Sequence, residues 1–130
     1  IEEAKKHGDI LVVQVASDEE VGEKKGKNRP ILNQHIRIKV IDSLKPVDYA
    51  FIEKFLTNST HPLEAKNEIL EKLKPDVYAT NTDSPDVGYL EKITKKFGVR
   101  LIVLNRYCPA EFEDISTRKI IAKILEQKNQ

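Results

Sequence analysis

The chain contains no methionine and a single cysteine, Cys108, among its 130 residues. One thiol excludes an internal disulfide and fits a reducing, cytoplasmic setting. It also has no neighbouring Cys or His with which to hold a metal. Charge of one sign is scarce in excess: the net value is +1, so no bulk basic field argues for DNA or RNA. No apolar run approaches the roughly 20 residues of a membrane helix, and no secretory leader is visible. The phosphate-loop sequence Gly-Lys-Ser/Thr, the GxGxxG turn and the nucleophile elbow are all missing. His7, His35 and His61 are not at metal-ligand spacing, and each reads as structural.

Translation starts with Met, yet the first residues, Ile1 to Lys6, already read as the body of a helix without a cap. The expectation is a natural protein that begins further upstream. What is present suits one globular domain over residues 1–130, with 39% hydrophobic and 33% charged residues.

Apolar runs alternate with helical stripes. Ile1–Lys6 is a helix tail, and Ile10–Ala16 is a strand buried on both faces. Ser17–Pro30 is polar, carries Gly22 and Gly26, and reads as a long loop. Ile36, Val40, Ile41 and Leu44 form a helical stripe, followed by a strand at Asp48–Ile52. Pro62 sits near the next helix start, whose inner face is Ala65, Ile69, Leu70 and Leu73. Asp76–Thr80 is a strand, Asn81–Asp86 a loop, and Val87, Leu90, Ile93 and Phe97 a stripe that Gly98 stops. Leu101–Leu104 is the last strand, and Ile120, Ile121, Ile124 and Leu125 mark the last helix. This alternation predicts an α/β fold: a Rossmann-like, doubly wound parallel sheet between two helix layers. Ligands in such sheets bind beyond the C-terminal strand ends.

Three loops leave those ends. Ser17–Pro30 holds Lys24, Lys25, Lys27 and Arg29 beside two glycines, which suits a polyphosphate; a solvated basic loop is the alternative. Asn81–Asp86 offers Asp83, either to bond a sugar hydroxyl or place a metal, or to form an Asx-turn. Asn105–Asp114 offers Arg106, a bidentate phosphate ligand directly after a strand. Ile115-Ser116-Thr117-Arg118-Lys119-Ile120 then opens the last helix. Free N–H groups, two hydroxyls and two cations there favour an anion. Equally, Asp114 or Ser116 caps the helix and Arg118 and Lys119 are solvated.

In order and spacing these segments resemble the cytidylyltransferase-like nucleotidyltransferase family across essentially the whole chain. The resemblance rests on EEAKKHGDILVVQVASDEEV, GKNRPILNQHIRIKVIDSLKPVDY, LKPDVYATNTDS and ISTRKII. The pattern is most like the adenylyltransferase domain acting on heptose 1-phosphate; glycerol-3-phosphate cytidylyltransferase and archaeal FAD synthetase are similar. The resemblance implies transfer of CMP or AMP from CTP or ATP to a phosphorylated sugar or polyol, with Mg²⁺ assisting and pyrophosphate leaving. It assigns catalysis to Lys27 and Arg106, and nucleotide binding to Lys25, Arg37, Asp83, Arg106, Ser116 and Thr117; Lys45 also matches a cationic position. No metal-ligating residue is assigned. The implied partners are a nucleoside triphosphate and a phosphorylated small molecule, without nucleic acid or membrane; a homo-oligomer is compatible.

The departures are equally specific. The family's His-x-Gly-His motif belongs just before Ile1, after a first strand, so activity is expected to need an upstream segment. That strand would be central, and without it Ile10–Ala16 would expose a hydrophobic edge. Asn81 and Thr82 stand where relatives carry glycine, and Arg118 replaces a small hydroxyl residue. The alternative function is a catalytically silent homologue that binds nucleotide or scaffolds a partner.

Overall fold

The computed structural model describes residues 1–53, 64–111 and 116–128. Its elements run α1 (Glu2–Lys5), β1 (Val12–Val15), α2 (Asp18–Lys25), α3 (Gln34–Asp42), β2 (Tyr49–Ile52), α4 (Glu64–Leu73), β3 (Val77–Asn81), α5 (Val87–Lys96), β4 (Arg100–Leu104) and α6 (Thr117–Lys128). Every strand expected from the apolar runs is present. His61, Pro62 and Asp114 lie outside the described residues.

The strands pair in parallel, β1 with β2 and β3 with β4, as the alternation of strand and helix requires. Val12 faces Tyr49 and Val15 faces Ile52; Val77 faces Arg100 and Asn81 faces Leu104. Among the described residues the two pairs share no ladder, so β1 and β3 each keep one unpaired edge. Ile10–Ala16 is not buried on both faces as the apolar run predicts: Ile10 and Val12 are exposed, and Val15 alone of the β1 residues is buried.

The core lies in the second half. Leu70 from α4, Leu90 and Ile93 from α5, and Val99 before β4 are buried against Tyr78, Tyr89, Phe97 and Leu101. Asn67 of α4 donates to the Tyr89 hydroxyl of α5 at 3.0 Å and locks these helices together. Two expected inner faces are not buried. Ile36, Val40 and Leu44 on and after α3 are exposed, as are Ile120, Ile124 and Leu125 on α6; Leu73 of α4 is exposed too. The cause is geometric: two strands about 4.8 Å apart make a ribbon only about one helix wide.

The stretch expected to be a loop from Ser17 begins instead as α2. Ser17, buried, accepts a hydrogen bond from the Glu20 N–H at 3.2 Å and caps the helix. Acidic residues fill the first turn and Lys24 and Lys25 the last, matching the helix dipole. Gly26 ends the helix at φ 98°, a conformation that favours glycine, with its N–H on the Gly22 carbonyl. This leaves Lys25 at the tip of α2 and Lys27 on the turn beyond it.

Candidate functional site

Each segment singled out for phosphate chemistry follows the C-terminal end of a parallel strand. Residues 16–33 leave β1, 82–86 leave β3 and 105–111 leave β4. Lys25 and Lys27 are exposed on the first. Beside them Arg29 places its Nη1 in a buried position with no hydrogen-bond partner among the described residues. A buried guanidinium nitrogen left unpaired is costly, and an anion would satisfy it.

Arg37 is engaged within the protein. Its Nη2 meets the Asp18 carboxylate at 2.7 Å and its Nε donates to the Leu32 carbonyl at 3.0 Å. Gln34 Oε1 accepts from the Asp18 N–H at 3.0 Å. Together these contacts pin the first turn of α2 to the start of α3.

On the second half Asp83 and Arg106 come together at 3.9 Å, and Thr82 donates to the Asp83 carboxylate at 3.3 Å. Both partners are about half exposed, so the ion pair is weak and exchangeable for a phosphate contact. Ser116 is the cap that the sequence offered for the last helix: its Oγ accepts from the Lys119 N–H at 3.3 Å. Thr117 is the first residue of α6 and is exposed. The structure therefore unites Asp83 with Arg106, while Lys25 and Lys27, and Ser116 and Thr117, stand on their own elements.

Between these groups lies a charged network that the sequence reading missed. Glu53 follows β2 directly, is 3% exposed, and accepts from Lys66 of α4 at 3.1 and 3.2 Å. Glu20, also buried, holds Lys24 at 2.8 Å, and Lys24 reaches the Asp86 carboxylate at the head of α5 at 3.7 Å. Burial lifts Glu53 above the usual carboxylate range against the pull of Lys66, with the charge of Glu20 adding to the lift. Desolvation works to lower Lys24, but the Glu20 carboxylate outweighs it and raises the ammonium. Part of this was visible locally. Ser17-Asp18-Glu19-Glu20 is a capping-box pattern, and Glu20 and Lys24 are one helical turn apart.

Tyr78 of β3 reports on the same network. Burial, then the charges of Glu53, Asp86 and Glu20, push its phenol up to about 12. The folded value lies above the ordinary one near 10, so this contribution to stability is complete below pH 10 and is lost as pH rises toward 12. An absorbance titration of the folded protein is expected to show a tyrosinate phase near pH 12 that Tyr78→Phe removes. A titration with no such phase contradicts the geometry around Tyr78.

Among the described residues no group of three or more His, Cys, Asp or Glu side chains is arranged to hold a metal. No helix there is long and apolar enough to cross a membrane.

Comparison with known proteins identifies the family. A family model described as Cytidylyltransferase-like matches residues 1–123. An FAD synthase of Ferroglobus placidus is 36% identical over 126 residues, covering 96% of this chain and 76% of that protein. A bifunctional protein HldE of Desulfatibacillum aliphaticivorans is 31% identical over 125 residues, covering 95% of this chain but only 23% of its own length. The crystal structure of a lipopolysaccharide core biosynthesis protein from Thermoplasma volcanium superposes with a TM-score of 0.58 at 27% identity, covering 82% of this chain and 80% of that one. The chain belongs to the cytidylyltransferase-like family of nucleotidyltransferases.

Proposed function

We propose that this chain transfers an AMP or CMP moiety from a nucleoside triphosphate to a phosphorylated sugar or polyol in the cytoplasm, releasing pyrophosphate. One observation carries the reading: the 3.7 Å approach of Lys24 to Asp86 sets the loop after β1 beside the loop after β3. Lys25 and Lys27 follow Lys24 in the chain on one side of this contact, and Asp83 and Arg106 follow β3 and β4 on the other. Lys25 and Lys27 would neutralise the triphosphate from one side, and Arg106 from the other. Ser116 and Thr117 would present hydroxyls and free N–H groups to its phosphates at the head of α6. Such a reaction needs no covalent intermediate; positioning and stabilisation of charge supply the rate.

Mg²⁺ would enter with the nucleotide. The donor set fits this, because Mg²⁺ is commonly held by one or two carboxylates and substrate phosphates rather than by a protein cage. Asp83 is the carboxylate beside Arg106.

The test is to follow pyrophosphate release from MgATP or MgCTP with heptose 1-phosphate or glycerol 3-phosphate as acceptor. Release that requires one acceptor supports the proposal and identifies the substrate. Nucleotide binding without release under any pairing supports the silent homologue; no binding at all removes both readings.

A further inference from the structure

The two strand pairs share no ladder hydrogen bonds among the described residues, yet charged side chains tie them together at their C-terminal ends. Lys66 stands on α4, which packs into the β3–β4 half through Leu70, while its partner Glu53 ends β2 in the other half. Lys24 stands on α2, behind β1, while Asp86 heads α5 in the β3–β4 half. Glu20 lies close enough to act on both Glu53 and Lys24. Asp86 makes no side-chain cap to its own helix. Its carboxylate faces Lys24 instead.

The groups assigned to the nucleotide divide the same way. Lys25 and Lys27 follow β1, whereas Asp83 and Arg106 follow β3 and β4. The ionic contacts at this edge join the two groups of elements from which these residues come. We propose that Glu20, Lys24, Glu53, Lys66 and Asp86 form an ionic strap whose role is to position the α2 cations against the Asp83–Arg106 loops, with Lys24 as its central positioning residue. This rests on the nucleotidyltransferase reading above. Within the strap, Lys24 touches only carboxylates, at 2.8 Å to Glu20 and 3.7 Å to Asp86. A phosphate contact is therefore not its part. The Glu20–Lys24 and Glu53–Lys66 contacts are short and each holds a buried carboxylate, so removing one partner leaves the other charge desolvated, whereas the Lys24–Asp86 contact is longer and partly solvated. The strap also explains why two carboxylates are buried in a chain with so small a core.

Lys24→Gln leaves the buried Glu20 without its 2.8 Å partner, so urea unfolding at neutral pH first establishes that the variant is folded. Two measurements on this variant decide the matter. The first is the distance distribution between spin labels on Cys108 and on Asn28→Cys, which lie in different halves. The strap requires a broader or shifted distribution in Lys24→Gln and a distribution like that of the unaltered pair in Lys24→Arg. The second is steady-state transfer. kcat/KM should fall about 100-fold in Lys24→Gln, chiefly in kcat, the scale on which a 1 Å misplacement acts. Lys24→Arg should recover most of that loss.

An unchanged distance distribution in Lys24→Gln overturns the strap whatever the activity. A changed distribution with unchanged kcat overturns the positioning role. Absence of any transfer by the unaltered protein removes the transferase reading instead, and the distance measurement still decides the strap.

Discussion

Lys66→Met is expected to lower the stability of the fold by about 3–5 kcal/mol at neutral pH, because it leaves the Glu53 carboxylate buried without a counter-charge. The Glu53 side chain is 4% exposed and that of Lys66 11%, so little water is available to replace the lost partner. The paired variant Glu53→Gln with Lys66→Met should regain most of the loss, since removing both charges removes the desolvation penalty. Urea unfolding of the two variants and the unaltered protein at neutral pH measures this. A single variant within about 1 kcal/mol of the unaltered protein, the range of a solvated pair, would show that the contact is not desolvated. The pH dependence has a definite sign. Because burial raises Glu53, its contribution is complete below the ordinary glutamate value of 4.5 and is lost as pH rises through the folded value.

Arg106→Ala is the second large effect. It should reduce kcat/KM for nucleotidyl transfer by about 10²–10³-fold, as loss of one donor to a developing oxyanion does elsewhere. Arg106 is half exposed and its pair with Asp83 is loose, so stability should change by less than about 1 kcal/mol. Arg106→Lys should recover only part of the rate, because an ammonium cannot grip phosphate with two parallel bonds. Transfer that is unimpaired in Arg106→Ala would remove this residue from the site.

How far the sequence disclosed these features follows from the physics of each. The strands were legible because Ile10–Ala16 and Leu101–Leu104 are short apolar runs with few alternatives. The helix α5 was legible because Leu90, Ile93 and Phe97 recur at helical spacing and Gly98 stops it. By contrast, α2 has almost no apolar face. It is held by the Ser17 cap, by Arg37 on Asp18 and by Lys24 on Glu20, so hydrophobic periodicity is silent there. The Glu53–Lys66 pair is not a helical neighbour pair, and nothing in the composition of either segment marks the two as partners. Arg37 was legible as a cation, but not that Asp18 would occupy it.

The site is legible to a similar degree. Chain order places Arg106 after a strand and Ser116 and Thr117 at a helix head, and the structure agrees on both placements. The meeting of Asp83 with Arg106 follows from adjacent parallel strands, β3 and β4, whose ends lie side by side. The Arg29 guanidinium, partly sequestered beside the exposed lysines, needed coordinates to find.

The central claim is that the head of α6, with cations from the loops after β1 and β4, cradles a triphosphate. Calorimetric titration of MgATP and MgCTP into the unaltered protein and into the Ser116→Ala, Thr117→Ala double variant tests it most directly. The account predicts saturable binding to the unaltered protein, weakened at least about tenfold in the variant, more than a lost helix cap alone would explain at roughly 1 kcal/mol. Equal affinity in both proteins would contradict it.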